Sequence, residues 1–100
     1  KLIITSTYDY LWKVMTETST GPKRLKGLLP EGTVVAHKTG TGPENKEGMT
    51  SAINDIGIVV LPNGKAFAIA VFVSDSYETM EINEEIIAKI SKAAYDYFLK

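Results

Sequence analysis

Two apolar stretches separated by a four-residue turn constrain the fold of this chain more than any other feature. "IGIVVL" at residues 56–61 and "AFAIAVFV" at residues 66–73 flank the turn sequence "PNGK". Asn-Gly between two apolar runs is a strong signal for a tight β-hairpin. A further apolar run that ends in "HKTG" precedes them, so the sequence predicts an antiparallel sheet in sequential order. The three predicted strands are residues 33–40, 52–61 and 66–74.

Helical periodicity is the second pattern, and it begins before the predicted sheet. Apolar side chains recur at helical spacing from Thr5 or Ser6, either of which can cap the helix, to the Gly21-Pro22 pair that ends it. Pro22 also suits the first position of a short second helix, "PKRLKGLL" at residues 22–29. The apolar stripe of the first helix consists of Tyr8, Leu11, Met15 and Trp12, and we expect the last of these in the core.

The segment 79–100 carries the clearest helical pattern in the chain. Thr79 is the candidate N-cap, and acidic side chains follow in the early turns, where they favour a helix start. We expect this helix to pack along one face of the sheet, which gives an α+β fold in a single unit of residues 1–100. The apolar residues that share one side of the helix are Ile82, Ile86, Ile90, Ala93 and Tyr97.

The second and third predicted strands do not alternate apolar with polar residues. Such strands are typical of sheets that are covered on both faces. The C-terminal helix can cover one face, whereas the N-terminal helix offers only a narrow apolar stripe to the other. Three explanations stay open: that helix suffices, the chain dimerises through the open face, or a covering segment lies outside this sequence. Separately, the chain begins with Lys1 rather than methionine, so we expect that it is trimmed at its front.

Composition limits the partners of this chain. Its 100 residues carry a formal net charge of -1, which gives no electrostatic basis for binding nucleic acid or an anionic membrane. No apolar run approaches the ~20 residues that cross a bilayer. The absence of cysteine excludes disulfides and cysteine-ligated zinc. We expect one soluble globular unit that uses no metal and no cofactor.

The apolar pattern of the first predicted strand ends at "HKTGTG", residues 37–42. Gly40 removes the side chain that would keep a ligand off the backbone, so an edge strand here can pair with an amide-containing ligand. Lys38 adds a positive charge, and Thr39 and Thr41 add hydroxyl groups. This combination suits a small anion that contains an amide. The alternative is an ordinary strand end that runs into a glycine-rich turn.

The Lys-Thr-Gly tripeptide stands among segments whose order and spacing are those of one enzyme family. These segments are "GPKRLKGLLPEGTVVAHKTGTG", "NDIGIVVLPNGK", "AIAVFVSDS" and "NEEIIAKISKAAYDYF". Together they resemble the C-terminal portion of the class A serine β-lactamases, and Lys-Thr-Gly is a motif of these enzymes and of penicillin-binding proteins. The long loop after Thr41, with Asn54 and Asp55, resembles the extended-spectrum cephalosporinase branch.

The resemblance implies an enzyme of which this chain is one part. Such a protein is periplasmic or secreted and hydrolyses the amide of penicillins and cephalosporins through an acyl-enzyme. The family's Ser-x-x-Lys, Ser-Asp-Asn and Glu-x-x-Leu-Asn motifs do not occur in residues 1–100. An acyl-transfer enzyme without its nucleophile cannot form the covalent intermediate, so we expect this chain to be inactive alone.

The resemblance also implies roles for the residues of the motif. Lys38 would direct positive potential toward the substrate carboxylate and the catalytic serine network, and Thr39 would donate a hydrogen bond to that carboxylate. Gly40 would let the substrate approach the backbone. The backbone N–H of Thr41 would form half of the oxyanion hole, and the loss of one such donor typically costs about 10²–10³ in rate.

Arg24 is a further candidate for binding the substrate carboxylate. Many members of the family carry an arginine on the strand after the motif, but the corresponding position here falls at or near Ile53. Other members carry it just before the motif strand, where Arg24 lies in this sequence. A guanidinium group suits a carboxylate because it donates two parallel hydrogen bonds. The alternative is a solvated basic face that Arg24 shares with Lys23 and Lys26.

Three neighbours of the motif receive structural or modulating roles. His37 occupies a position that is often acidic in the family, so it would make the site sensitive to pH, because a free imidazole titrates near ~6.5. The alternative for His37 is simple packing. Asn54 and Asp55 are expected to form a bulge or a turn.

Two other functions stay open for this sequence. The chain could belong to a penicillin-binding transpeptidase, or it could be a stand-alone α+β module that binds peptides along residues 38–41 without catalysis. In the favoured interpretation the partner is a β-lactam, which is a small molecule. Because long apolar edges invite pairing, we also expect the third strand to associate with a second copy of the chain.

Overall fold

A computed structural model describes residues 4–100, which form two helices and one sheet. The sheet is antiparallel with strand order β1-β2-β3, which confirms the predicted α+β fold and topology. Each strand begins and ends within two residues of its predicted bound. The elements are α1 (Thr5–Thr16), β1 (Val35–Thr41), β2 (Thr50–Val60), β3 (Ala66–Ser76) and α2 (Met80–Leu99).

One face of the sheet and α2 form the hydrophobic core. Val35, Val59 and Phe67 are direct cross-strand neighbours on this face. Ile87 and Tyr95 of α2 pack against them, and all five side chains are buried. The burial is possible because side chains of alternate strand residues point to the same face.

The helix α2 begins as predicted but uses a different face. Thr79 is its N-cap and accepts a hydrogen bond from the N–H of Ile82. Our prediction of the apolar stripe through Ile86 as the packed face is wrong, because Ile86 is 39% exposed and Ile87 is fully buried. The buried side of α2 also carries the polar residues Asn83 and Ser91, which a search for an apolar stripe passes over, and Asn83 accepts a hydrogen bond from Ser76. The buried residues of α2 are Asn83, Ile87, Ala88, Ser91 and Tyr95.

The N-terminal helix differs from its prediction at both ends. Ile4 is the N-cap of α1, without a side-chain hydrogen bond, so neither Thr5 nor Ser6 has the predicted capping role. The helix ends at Thr16, several residues before Gly21. Trp12 is half-buried rather than part of the core. This helix contacts β1 on the side of the sheet opposite to α2. None of its residues is fully buried.

The predicted short helix at residues 22–29 is wrong, since this segment is a run of turns. Its backbone closes through three-residue hydrogen bonds, from Arg24 N–H to Gly21 O and from Gly27 N–H to Arg24 O. The N–H of Leu25 donates instead to a side-chain carboxylate of β2. A glycine in the segment and this tertiary contact both oppose a continuous helix.

The second face of the sheet stays largely uncovered in the described part of the chain. Ile56, Ile58 and Phe72 are exposed on this face, and Phe72 is 69% exposed. Together with Met15 of α1 they line an apolar groove of about 620 Å³. The helix α1 therefore leaves part of the apolar surface of β2 and β3 on this face exposed.

Replacing the cap of α2 tests how this helix starts. Thr79→Ala removes the acceptor for the N–H of Ile82, and we expect a loss of about 1 kcal/mol in the free energy of unfolding. Thr79→Ser keeps a hydroxyl at the same place and should lose only a few tenths of that amount. Urea-induced unfolding measures both variants. Equal stability of the alanine and serine variants would contradict the assigned cap.

Candidate functional site

The Lys-Thr-Gly motif lies on an edge of the sheet. Lys38, Thr39 and Gly40 belong to β1, which pairs with β2 on one side only. Lys38 and Thr41 are exposed, and Thr39 and Gly40 are half-buried. No other part of the described chain covers Lys38. This exposure is required if its charge is to bind a ligand.

The register of β1 determines which backbone groups face the open edge. Hydrogen bonds join Val60 N–H to Val34 O and Gly42 N–H to Ala52 O, and these pairs belong to one continuous register. In an antiparallel ladder, hydrogen-bonded pairs alternate with pairs whose N–H and C=O groups point outward. Thr41 lies opposite Ile53, one residue from a hydrogen-bonded pair. The backbone N–H of Thr41 therefore points to the open edge.

Arg24 lies in residues 22–29, which we call the turn segment, and its side chain reaches this edge of the sheet. Arg24 is 6% exposed. Its Nη1 donates to the carbonyl oxygens of Gly40 at 3.0 Å and Asn54 at 2.9 Å. Its Nη2 donates to Thr41 Oγ1 at 2.8 Å. Its Nε donates to Glu84 Oε2 of α2 at 3.0 Å. One guanidinium group thus joins β1, β2 and α2 at the end of the motif.

The partners of Arg24 exclude the alternative of a solvated basic face. A guanidinium has five N–H donors, and four of the hydrogen bonds that Arg24 makes go to oxygen atoms of the protein. A fifth contact joins Nη2 to Met80 Sδ at 3.8 Å. Sequence reasoning missed Glu84 as the counter-charge. The available signal was its position in α2, on the same helical face as the buried Ile87 and Ser91.

Thr39 is held by its contact with the segment before Arg24. The φ angle of Gly21 is 61°, and a Cβ added there would lie 2.3 Å from Thr39 Cγ2. Thr39 Oγ1 donates to Thr20 Oγ1 at 3.4 Å. Glycine is needed at residue 21 both for the left-handed backbone and for this close approach. This role of Gly21 was not predictable from the sequence, because a glycine before a proline is common in any turn.

His37 and Asp55 form a buried pair beneath the motif. His37 is 1% exposed and Asp55 is 0% exposed. The Nδ1 of His37 lies 3.0 and 2.9 Å from the two carboxylate oxygens of Asp55. The backbone N–H of Leu25 donates to Asp55 Oδ2 at 3.2 Å.

These contacts correct the predicted role of Asn54 and Asp55. Neither residue forms a bulge or a turn, because β1 and β2 pair without interruption from Val35–Val59 to Thr41–Ile53. Both residues serve instead through tertiary hydrogen bonds, Asn54 through its carbonyl oxygen and Asp55 through its carboxylate.

The structure brings some of the predicted site residues together and separates others. Arg24, Gly40 and Thr41 are in direct contact. Thr39 shares the strand face of Thr41, whereas Lys38 belongs to the opposite face and donates from Nζ to the carbonyl oxygen of Thr39. The site is therefore an edge with hydroxyl groups on one side and a cation on the other.

Residues 4–100 offer neither a metal site nor a membrane span. This part of the chain contains no group of three or more histidine, cysteine, aspartate or glutamate side chains that could hold a metal ion. It also has no helix with the length and apolar character required to span a membrane.

Curated relatives are similar over most of this chain. β-Lactamase VEB-1 of Pseudomonas aeruginosa is 52% identical over 99 residues, which are 99% of this chain and 33% of the relative. Extended-spectrum β-lactamase PER-1 of the same organism is 59% identical over 90 residues, which are 90% of this chain and 29% of the relative. The chain thus spans about a third of the length of these relatives.

Solved structures give the same result. The crystal structure of TLA-1 extended-spectrum β-lactamase matches with a TM-score of 0.97 and 62% identity, over 99% of this chain and 36% of that one. A representative of class A β-lactamase from Bacteroides cellulosilyticus matches with a TM-score of 0.95 and 49% identity, over 98% of this chain and 35% of that one. The model of the β-lactamase enzyme family matches residues 1–98. This chain therefore belongs to the β-lactamase enzyme family.

Proposed function

We propose that the protein containing this chain is a class A serine β-lactamase that hydrolyses penicillins and cephalosporins through an acyl-enzyme. In this proposal the chain supplies the wall that binds the substrate carboxylate and one half of the oxyanion hole. The observation that carries the proposal is the contact of Arg24 with Gly40 and Thr41 at the open edge of β1. Relatives named extended-spectrum β-lactamases support the inclusion of cephalosporins.

The backbone of Thr41 is the group that would act on the reacting carbonyl. Its N–H points to the open edge, where no strand of the described chain pairs with it. A fixed donor of this kind stabilises the negative oxygen of a tetrahedral intermediate, because it needs no reorganisation when the charge develops. The second donor and the nucleophile would come from the part of the protein that precedes this chain.

The hydroxyl groups of Thr39 and Thr41 would bind the substrate carboxylate. Arg24 donates to Thr41 Oγ1, so this oxygen acts as an acceptor and its own hydrogen is free to point toward a ligand. Glu84 neutralises much of the charge of Arg24 at a distance of 3.0 Å. The positive potential at the edge would therefore come mainly from the exposed Lys38.

The location of the protein follows from the proposed activity. A β-lactamase acts outside the cytoplasm, so we propose a periplasmic or secreted location.

We also propose that β3, which is an edge strand of 11 residues in this chain, pairs with a second copy when the chain is produced alone.

Turnover of a chromogenic cephalosporin by the full-length protein tests the function. We expect hydrolysis by the full-length protein and none by residues 1–100 alone, because the latter contain no Ser-x-x-Lys. Replacing the serine of that motif in the full-length protein should abolish turnover. Release of a cross-linked peptide product without β-lactam turnover would instead support the transpeptidase alternative.

Gly21→Ala tests whether Thr39 contributes to the substrate wall. The new Cβ would displace the side chain of Thr39, and we expect kcat/KM of the full-length protein to fall about tenfold. The matched control is Gly32→Ala, because Gly32 also has a positive φ, of 85°, but has no atom within 4 Å of an added Cβ. Both variants should lose stability through backbone strain, and Gly21→Ala should lose more because its Cβ also displaces Thr39. An equal loss of kcat/KM in both variants would show that backbone strain, and not Thr39, is responsible.

Analytical ultracentrifugation of residues 1–100 tests the proposed edge pairing. We expect the sedimentation coefficient to rise with concentration, because β3 presents a long unpaired apolar edge. Phe72→Lys places a charge beside this edge and should shift the equilibrium toward the monomer. A monodisperse monomer at high concentration would rule out the pairing.

A further inference from the structure

The buried pair of His37 and Asp55 has no part in the proposed chemistry, although His37 directly precedes Lys38 in β1 and Asp55 lies in the neighbouring strand β2. Both side chains are inaccessible to solvent, and a buried carboxylate is costly unless hydrogen bonds satisfy it. Asp55 has such bonds from His37 and from the N–H of Leu25. Within the described chain, the Nε2 atom of His37 is buried without a hydrogen-bond partner. Among residues 4–100, the side-chain hydrogen bonds of His37 therefore all go to Asp55.

Asp55 also controls the segment from which Arg24 projects. Asn54 and Asp55 are consecutive in β2, and they hold the consecutive residues Arg24 and Leu25. One bond joins Arg24 Nη1 to the carbonyl oxygen of Asn54 at 2.9 Å, and the other joins Leu25 N–H to Asp55 Oδ2 at 3.2 Å. These two bonds fix both the backbone and the side chain at the base of Arg24.

The same carboxylate connects Arg24 with the motif strand. His37 precedes Lys38 in β1, and its imidazole ties this strand to Asp55. Arg24 then contacts the end of the strand through Gly40 and Thr41. A closed circuit of hydrogen bonds therefore runs from β1 through Asp55 and the turn segment back to β1.

We propose that Asp55 is a positioning residue for the substrate wall, with His37 as its partner, and that it acts through Arg24. The proposal rests on the proposed function for its kinetic consequence. It concerns the placement of the Arg24 guanidinium against Thr41, and not a direct contact of Asp55 with substrate. Loss of the carboxylate frees the N–H of Leu25, and the turn segment then no longer holds Arg24 in register with β1.

A double-mutant cycle in the full-length protein tests whether Asp55 acts through Arg24. We expect Asp55→Ala to lower kcat/KM at least about tenfold in the native background. In the Arg24→Ala background the same change should cost less than about twofold, because the group it positions is already gone. Equal losses in the two backgrounds would overturn the proposal. If Asp55→Ala does not fold, His37→Leu takes its place with a smaller loss in the same direction.

Two further variants separate positioning from general stability. Phe67→Leu removes the stacking of Phe67 on Phe98, whose ring centroids are 5.0 Å apart, at the end of the sheet opposite to Thr41, so it should lower stability without lowering kcat/KM. His37→Asn places an amide N–H where Nδ1 lies and should restore kcat/KM to within about twofold of the native protein, whereas His37→Leu should not. A matched loss of kcat/KM in Phe67→Leu, or the failure of His37→Asn to restore it, would contradict the proposal.

Hydrogen exchange at Arg24 Nε–H gives a readout that needs no β-lactam turnover. We expect slow exchange in the native protein and in Phe67→Leu, and at least about tenfold faster exchange in Asp55→Ala. Unchanged exchange in Asp55→Ala would overturn the positioning role even if the enzyme is active. A protein that hydrolyses no β-lactam but shows the accelerated exchange would refute the proposed function and leave the positioning role supported.

Discussion

The hydrogen bonds of one buried arginine define the geometry on which the proposed site depends. Arg24 joins the end of β1 to β2 and α2, and it does so with oxygen acceptors on each of its three nitrogen atoms. A cation this well buried is stable only when such partners are complete. Glu84 supplies the opposite charge, and the carbonyl oxygens of Gly40 and Asn54 supply the remaining neutral acceptors. The position of the Thr41 hydroxyl follows from this arrangement.

The chemistry of the edge divides between side chains and backbone. The hydroxyl group of Thr41 is held by Arg24, while its N–H is directed outward by the alternation of the antiparallel ladder. The first feature depends on tertiary packing, and the second depends only on strand register. A single residue can therefore serve both carboxylate binding and oxyanion stabilisation in the proposed enzyme, because two different constraints fix its two polar groups.

Local patterns in the sequence predicted the strands, the hairpin and the cap of α2, because each depends on neighbouring residues. The packed face of α2 could not be predicted, since it includes the polar residues Asn83 and Ser91, whereas the exposed stripe through Ile86 is the more apolar one. The Lys-Thr-Gly motif and Arg24 were visible as candidates. The contact of Arg24 with Glu84 and that of the neighbouring Leu25 with Asp55 were not visible, because Glu84 and Asp55 lie 60 and 31 positions from Arg24 in the sequence.

The most direct measurement is a crystal structure of the full-length protein with a β-lactam bound as the acyl-enzyme. If β1 forms the proposed wall, the acyl carbonyl oxygen will lie about 2.7–3.1 Å from the backbone nitrogen of Thr41. The ligand carboxylate will contact the hydroxyl groups of Thr39 and Thr41, with Arg24 still bonded to the latter. An acyl group whose carbonyl oxygen and carboxylate both lie away from β1 would contradict the central claim.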